Sequence, residues 1–324
     1  MYENLKNIEK KFKISDFPLN IAVEPSNYCN LNCIMCANDK LTRKRGVMDI
    51  RLYKKIIDEI AEVNPYTRLW LDYYGEPLLQ RFKLFYMIDY AVKKGLKNID
   101  LNTNAMLLNE EMAEMLLDSG ITFISIDCDG YSPEVYEKIR VGAKRDIVYR
   151  NIEYFLKLKQ KRKIEKPIIE VKIMEMEENK EEIDQVLSYW RTRGAWTCVR
   201  RLISWGGKYD NGANSINENR IACGSGIGIL PITWDGIAPI CVMDCNADFP
   251  CGDVNTTSIK EIWKRRNEYL VKPQMDHNWS ELPKICHNCT DWMVVGENRW
   301  DENGKPIEKT YDSKSKMIGT SKNG

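Results

Sequence analysis

The chain has 324 residues, 48 Lys and Arg against 47 Asp and Glu, and a formal net charge of +1. The charges are scattered and form no basic stripe, so we expect no nucleic-acid partner. No apolar run approaches the ~18 residues that a membrane span needs, and the Lys-rich N-terminus lacks the apolar segment of a signal peptide. We therefore expect a cytoplasmic protein that does not bind membranes. The length allows one large domain and a smaller one.

Apolar periodicity predicts six short strands that alternate with helices. The strands are expected at residues 21–23, 67–73, 97–101, 121–127, 167–176 and 197–203. The helices are expected at residues 48–63, 78–94, 109–119, 133–139, 146–163 and 181–193. This alternation is typical of an α/β fold with a parallel sheet, in which ligands bind at the carboxyl ends of the strands.

A cysteine-rich loop follows the first predicted strand. Cys29, Cys33 and Cys36 stand there at C-x3-C-x2-C spacing, and the next four residues contain no Cys or His. Thiolates suit iron–sulfur clusters and zinc, but three ligands are one short of a closed cluster or a structural zinc site. Such a site leaves one metal corner open for a small molecule. The alternative is three buried or chance cysteines.

The spacing and position of these cysteines resemble those of the radical S-adenosylmethionine superfamily. The resemblance implies a partial (β/α)6 barrel, in which the three cysteines hold a [4Fe–4S] cluster and its open iron binds S-adenosyl-L-methionine. It also implies formation of a 5′-deoxyadenosyl radical, which abstracts a hydrogen atom from a substrate C–H bond. Reduced flavodoxin or ferredoxin is the expected electron donor.

A second segment of this resemblance follows the second predicted strand. The residues Tyr74, Gly75 and Glu76, followed by a proline, resemble the Gly-Gly-Glu-Pro segment of the family. The resemblance implies that the backbone of this segment contacts the amino group of S-adenosyl-L-methionine. Tyr74 replaces the first glycine of the family segment.

Five further residues are expected near the cofactor from the same resemblance. Asn102 and Asn104 match the stretch after the third strand that lines the cofactor pocket. Ser125 and Asp127 match the fourth-strand segment near the cofactor carboxylate and ribose, although they could instead be inward-facing strand residues that are satisfied by neighbours. Met35 is expected to shield the cluster and the adenine.

Beyond Trp205 the chain becomes richer in Gly, Asn and Asp, and six more cysteines follow. An apolar segment with an Asp-Gly turn, predicted as a hairpin, separates the first two of them. The pattern resembles the Twitch version of the SPASM module, which implies one auxiliary [4Fe–4S] cluster; a zinc ribbon is the alternative. The implied ligands are Cys223, Cys241, Cys286 and Cys289.

The predicted domains are a leader segment, the barrel, the auxiliary-cluster domain and a flexible tail. Their ranges are residues 1–19, 20–204, 205–300 and 301–324.

The expected enzyme is an oxidoreductase with two [4Fe–4S] clusters. Similarity to Twitch-type dehydrogenases and epimerases implies oxidation of a carbinol in a sugar or cyclitol-like small molecule. The alternatives are epimerisation of a similar substrate and radical modification of a ribosomally made peptide. A non-enzymatic zinc-ribbon module is the remaining reading. Cys245 and Cys251 are placed in the loop after Cys241. A thiol there could donate a hydrogen atom to a substrate radical, or could be an unremarkable loop thiol.

Overall fold

The computed structural model describes residues 9–10, 12–210, 220–293, 309–312 and 316–319. Much of the predicted leader and most of the predicted tail lie outside these residues. Seven strands form one parallel sheet in the order β6-β5-β4-β3-β2-β1-β7. They are β1 (Asn20–Val23), β2 (Arg68–Trp70), β3 (Asn98–Thr103), β4 (Phe123–Asp127), β5 (Ile168–Glu175), β6 (Trp196–Arg201) and β7 (Ile229–Ile232).

Nine α-helices are described along the chain. They are α1 (Ile50–Val63), α2 (Phe82–Lys93), α3 (Glu110–Asp118), α4 (Pro133–Ile139), α5 (Arg145–Arg162), α6 (Ile183–Arg191), α7 (Gly224–Gly228), α8 (Ile259–Arg266) and α9 (Lys272–Met275). Several begin at a side-chain cap: the oxygens of Asp49, Asn109, Ser132 and Ser258 accept hydrogen bonds from backbone amides of the first turn. In the described part of the chain, no helix is long and apolar enough to cross a membrane.

The central strands are buried on both faces, as a parallel sheet covered by helices requires. Ile21, Leu69, Ile99 and Ile124 have no exposed surface. Burial of each such side chain contributes ~1.5–3 kcal/mol to stability. The predicted α/β class is confirmed, and each of the six predicted strands overlaps an observed one.

The predicted helix over residues 78–94 is interrupted. Pro77–Gln80 forms a 3-10 turn, and Arg81 then adopts a positive φ of 40° before α2 begins. The buried carboxylate of Glu76 accepts a hydrogen bond from the Leu78 amide at 3.0 Å and caps the turn. Sequence periodicity did not reveal this break, because the apolar positions continue across it.

The apolar segment between Cys223 and Cys241 differs from the predicted hairpin. The Asp-Gly turn is present, with Gly236 at a φ of +97°. However, β7 pairs in parallel with β1, whereas β8 (Ile237–Pro239) pairs antiparallel with β9 (Pro250–Asp253). All four β7 residues are buried, which suits a strand covered on both faces better than a solvent-facing hairpin arm. The hairpin prediction was therefore wrong in its strand pairing.

Two compact units share the chain. Unit one comprises Met1–Cys29, Ala37–Asp100 and Ile203–Gly296, and unit two comprises Asn30–Cys36, Leu101–Leu202 and Glu297–Gly324. Unit one contains β1, β2, β7 and the C-terminal cysteine segment. Unit two contains β4, β5 and β6, together with a two-stranded antiparallel ribbon of β10 (Lys309–Asp312) and β11 (Lys316–Gly319).

Candidate active site

The first cysteine motif lies on the loop that follows β1. Cys29 is the last residue of its segment in unit one, while Cys33 and Cys36 belong to unit two. All three thiols are partly exposed. Within unit two, the Ile34 amide donates to the Ile139 carbonyl at 3.0 Å. The loop is therefore held against the C-terminal end of α4.

A buried arginine from this same chain segment lies beside the loop. The Arg140 guanidinium lies 3.8 Å from the Cys33 sulfur and forms an ion pair with Asp129 at 2.5 Å. A second carboxylate, that of Asp127, lies 3.4 Å from the same guanidinium. Burial raises the pKa of the Cys33 thiol, and the Arg140 charge acts in the opposite direction. Arg140 thus links the cysteine loop to the end of β4.

Asp127 is the centre of a polar network in unit two. Its carboxylate accepts a hydrogen bond from the side-chain amide of Asn102 at 3.0 Å and forms an ion pair with the Lys172 ammonium at 2.9 Å. Lys172 also donates to the Asn102 side-chain oxygen at 2.9 Å. Burial alone raises the pKa of Asp127, but the charges of Lys172 and Arg140 outweigh it and hold that pKa below its ordinary value. The structure therefore brings Asn102 and Asp127 together, as expected for strand ends of one sheet.

The other predicted residues of unit two have different surroundings. Ser125 is buried and donates to the Glu170 carboxylate on β5 at 3.0 Å, which matches the strand-residue alternative. The Asn104 side-chain amide donates to the Asn30 side chain at 2.9 Å, next to the cysteine loop. Met35 is buried in an apolar cluster that includes Ile139 and Cys33.

The Arg140 network makes a testable contribution to stability. Changing Arg140 to Met would leave the carboxylates of Asp127 and Asp129 buried without their shared cation. We expect the free energy of unfolding to fall by ~3–5 kcal/mol, as when one partner of a buried ion pair is removed. Denaturant unfolding should show this loss. The matched control is Arg51→Met, which breaks an exposed pair with Asp49 and should cost ~1 kcal/mol or less. Equal losses in both variants would contradict a supporting role for Arg140.

In unit one, Gly75 lies where two backbone segments approach closely. A Cβ there would lie 2.1 Å from the Ser26 carbonyl oxygen and 2.9 Å from that of Tyr28. The Glu76 amide donates to the same Tyr28 carbonyl at 2.9 Å. The turn after β2 is thereby held against the chain that leads into Cys29.

Replacement of this glycine tests the close approach. We expect Gly75→Ala to lower the free energy of unfolding by ~1–3 kcal/mol, because the added methyl group meets rigid backbone. Gly228→Ala is the control, since its Cβ would meet nothing closer than 3.6 Å. Thermal unfolding of the two anaerobically prepared variants provides the comparison. A Gly75 variant as stable as the Gly228 variant would show that the turn relaxes freely.

Tyr74 has a role that the expected glycine could not fill. Its side chain is buried, its ring centre lies 5.4 Å from that of Trp205 with the two rings tilted by 47°, and its hydroxyl donates to the Val242 carbonyl at 2.9 Å. The adjacent Tyr73 hydroxyl lies 3.4 Å from the Cys241 carbonyl. These two tyrosines therefore connect the turn after β2 to the segment that carries Cys241.

The two remaining predicted thiols are both in unit one but lie in different clusters. Cys245 is fully buried against Ala37 and Tyr74, and its carbonyl accepts a hydrogen bond from Arg43 at 2.6 Å. Cys251 was expected in a loop but lies in β9, at the point where the register with β8 shifts between Gly252 and Pro250. It packs against the apolar cluster around Ile240, as do Cys241 and Cys286.

The four C-terminal cysteines come together in unit one, although up to 66 residues separate them in sequence. They line one cavity, together with Arg220, Met243, Gln274, Asp291 and Trp292 among others. The cysteines are Cys223, Cys241, Cys286 and Cys289.

Local contacts hold each of these thiols in place. The Gly226 amide donates to the Cys223 sulfur at 3.4 Å, and the Met243 amide donates to the Cys241 sulfur at 3.5 Å. Such amide contacts to sulfur are one of the means by which proteins tune iron–sulfur clusters. Burial raises the pKa values of all four thiols, to about 11 for Cys223 and to about 12 for Cys241. In the described residues, no group of three or more His, Cys, Asp or Glu is spaced to hold a single metal ion.

The carboxylate of Asp291 lies next to the sulfur of Cys289. Asp291 is buried and accepts hydrogen bonds from the Ser204 amide at 2.5 Å and the Gly206 amide at 3.0 Å. Its carboxylate also lies 3.4 Å from the Cys289 sulfur. The residues of this cavity fit a four-iron cluster by their chemistry, because four thiolates are the usual ligand set of a cubane.

Sequence reasoning missed the charged residues around both sites. Arg140, Asp129 and Lys172 were not singled out, although Lys172 is paired in register with Asp127. Asp129 follows Asp127 by two positions, which was the one signal in the sequence for a second carboxylate there. Arg140, directly after α4, takes its position beside Cys33 from the fold. Asp291, two residues after Cys289, was also not singled out, and its position beside that sulfur is likewise set by the fold.

Comparison with known proteins covers both parts of the chain. The model of the radical SAM superfamily matches residues 23–189, and that of the SPASM iron–sulfur cluster-binding domain matches residues 223–290. The chain is 23% identical over 287 residues to the S-adenosyl-L-methionine-dependent 2-deoxy-scyllo-inosamine dehydrogenase of Niallia circulans. That match covers 87% of this chain and 96% of the dehydrogenase. The chain spans only 36–41% of the length of the first curated relatives that it matches.

Two solved structures share the fold. The crystal structure of BtrN in complex with AdoMet and 2-DOIA has a TM-score of 0.61 and 21% identity, and covers 87% of this chain and 96% of its own. Streptococcus suis SuiB bound to the precursor peptide SuiA has a TM-score of 0.62 and 16% identity, and covers 81% and 68%. Because the first family model covers more than half of the 324 residues, the chain belongs to the radical SAM superfamily, as an iron–sulfur enzyme that uses S-adenosyl-L-methionine and carries a C-terminal SPASM-type domain.

Proposed function

We propose that this enzyme oxidises a carbinol of a sugar or cyclitol-like small molecule to a carbonyl group. The observation that carries the proposal is the meeting of four thiols in one cavity of the C-terminal segment. Four thiolates are the usual ligand set of one [4Fe–4S] cluster. The similarity to a 2-deoxy-scyllo-inosamine dehydrogenase supports it, because the match extends over both modules.

We infer that Cys29, Cys33 and Cys36 hold the catalytic [4Fe–4S] cluster. When bound, this cluster and S-adenosyl-L-methionine supply a 5′-deoxyadenosyl radical that abstracts the hydrogen atom. The contribution of the chain is to position these groups and to exclude water. The backbone held by Gly75 and Glu76 would bind the amino group of the cofactor.

In this proposal Asp127 does not bind the cofactor directly. Its carboxylate is already engaged by Asn102 and Lys172, with Arg140 near by. We infer that it positions Arg140 beside the Cys33 sulfur. A buried cation at that point lowers the electrostatic cost of the negative charge on the thiolates.

Once a hydrogen atom has been abstracted from the carbinol carbon, further oxidation of the substrate radical needs an electron acceptor. After loss of one hydrogen atom from carbon, one electron and the hydroxyl proton must leave before a ketone is formed. The four thiols of Cys223, Cys241, Cys286 and Cys289 would hold the acceptor of that electron. We propose reduced flavodoxin or ferredoxin as the physiological donor of the electron that starts each turnover.

The test is turnover in heavy water. Reconstituted enzyme is incubated anaerobically with dithionite, S-adenosyl-L-methionine and 2-deoxy-scyllo-inosamine or related aminocyclitols. We expect a ketone product in equal amount to 5′-deoxyadenosine, with no solvent deuterium at the reacting carbon. Omission of S-adenosyl-L-methionine is the control.

Two other results would replace the proposal. Solvent deuterium at the reacting carbon, lost in Cys245→Ala or Cys251→Ala, would identify an epimerase with a thiol hydrogen donor. Cys245 is buried against Tyr74 and is the thiol nearer to the turn after β2. Formation of 5′-deoxyadenosine that rises only with peptide substrates would favour modification of a ribosomally made peptide.

A further inference from the structure

A buried arginine of unit one donates hydrogen bonds to the backbone beside the proposed ligands of the auxiliary cluster. Arg266 is the last residue of α8 and has no exposed surface. Its Nε donates to the Ile240 carbonyl at 2.7 Å, and its Nη2 donates to the Gly226 carbonyl. The guanidinium also lies 4.8 Å from the centre of the Trp263 ring. Its Nη1 has no hydrogen-bond partner among the described residues.

Both carbonyls belong to the backbone next to the proposed cluster ligands. Ile240 directly precedes Cys241, and Gly226 is the residue whose amide donates to the Cys223 sulfur. The guanidinium therefore ties together two of the chain segments that carry thiols. A buried cation with a spare donor is costly unless negative charge compensates for it.

The thiols are the electrostatic neighbours of this cation. Burial lowers the pKa of Arg266, and the sulfurs of Cys241, Cys251, Cys223 and Cys286 act in the opposite direction. The guanidinium in turn opposes the burial that raises the pKa of Cys241. The positive charge of Arg266 therefore acts on the thiols through a buried region, where solvent screens electrostatic interactions only a little.

The sign of the effect on a cluster follows from its charge. A [4Fe–4S] cluster with four thiolates is an anion, and reduction adds a further negative charge. A buried cation stabilises the reduced form more than the oxidised form and so raises the reduction potential, which depends on net charge, hydrogen bonds to sulfur and burial.

We propose that Arg266 raises the reduction potential of the auxiliary cluster, so that the cluster serves as an electron acceptor for the oxidation. This inference rests on the proposed function, in which Cys223, Cys241, Cys286 and Cys289 are the ligands. Arg266 is a positioning residue in this scheme, since it acts through its charge and does not touch the substrate.

The experiment measures the reduction potential of the auxiliary cluster in the full-length holoenzyme. Anaerobic redox titration is followed by electron paramagnetic resonance, and the catalytic cluster is identified as the signal that changes when S-adenosyl-L-methionine is added. Arg266→Gln removes the charge and Arg266→Lys keeps it. Arg265→Gln removes the same charge from the adjacent, exposed position on α8, where 49% of the side chain is accessible.

We expect Arg266→Gln to reduce the equilibrium constant for one-electron reduction at least tenfold, which corresponds to a fall of about 59 mV. Arg265→Gln and Arg266→Lys should change it by less than about threefold, or about 28 mV by the same conversion. Iron content of each variant is counted in parallel.

Three results would overturn the inference. The first is an iron-loaded Gln variant with the wild-type potential. The second is a shift as large in Arg265→Gln as in Arg266→Gln. The third is loss of auxiliary iron in both the Gln and Lys variants, which would make Arg266 purely structural. If only the Gln variant loses its iron, a Lys variant with the wild-type potential supports the charge and one with a tenfold lower constant contradicts it. Absence of an auxiliary cluster from the wild-type enzyme would instead refute the proposed ligand set itself.

Discussion

Replacement of Cys29, Cys33 and Cys36 together with Ala is expected to abolish reductive cleavage of S-adenosyl-L-methionine. Three thiols on one loop leave an open metal corner for the cofactor, and no activation of the sulfonium remains once they are removed. The iron content should fall from about eight to about four per chain, because the auxiliary thiols still close one cubane. Chromatographic detection of 5′-deoxyadenosine and an iron count provide the two measurements.

A control separates loss of ligands from general loss of structure. Cys198 is a buried thiol on β6, and Cys198→Ala removes a sulfur without touching either motif. This variant should keep about eight irons and form 5′-deoxyadenosine at the wild-type rate. If the triple variant still forms 5′-deoxyadenosine with dithionite as the reductant, the ligand assignment is wrong.

Loss of the auxiliary ligands should separate cofactor cleavage from product formation. We expect Cys286→Ala/Cys289→Ala to keep about four irons and to cleave S-adenosyl-L-methionine, because its catalytic loop is intact. Ketone formation should fall by at least about a hundredfold, which is about 2.7 kcal/mol in activation free energy. The physical reason is that the substrate radical then has no acceptor for its second electron. The ratio of ketone to 5′-deoxyadenosine is the measurement.

Metal analysis of the triple Ala variant tests the ligands of the auxiliary cavity directly. The triple variant of the catalytic loop should bind about four irons through Cys223, Cys241, Cys286 and Cys289. Stoichiometric zinc without iron in that anaerobically purified variant would favour the zinc-ribbon alternative instead. Undiminished ketone formation by the double Ala variant would show that the electron leaves by another route.

The sequence by itself determined the features that depend on short-range patterns. The periodicities of the six strands and the helices between them predicted the parallel α/β sheet, because each element buries its own apolar face. The spacing of Cys29, Cys33 and Cys36 identified the first motif, since a three-ligand loop is local in the chain. Likewise, Gly75 was singled out from its neighbours before its close approach to Ser26 was visible.

The tertiary structure alone decided how distant segments meet, because pairing and burial depend on contacts that periodicity does not encode. It paired β7 with β1 and β8 with β9, which the Asp-Gly turn could not indicate. It moved Cys251 from a predicted loop into a strand, and it satisfied Ser125 with Glu170. It also buried Arg266 against the carbonyls of Ile240 and Gly226. A positive charge in a helix pattern normally indicates a solvent-facing side, and only packing shows that this one faces the interior.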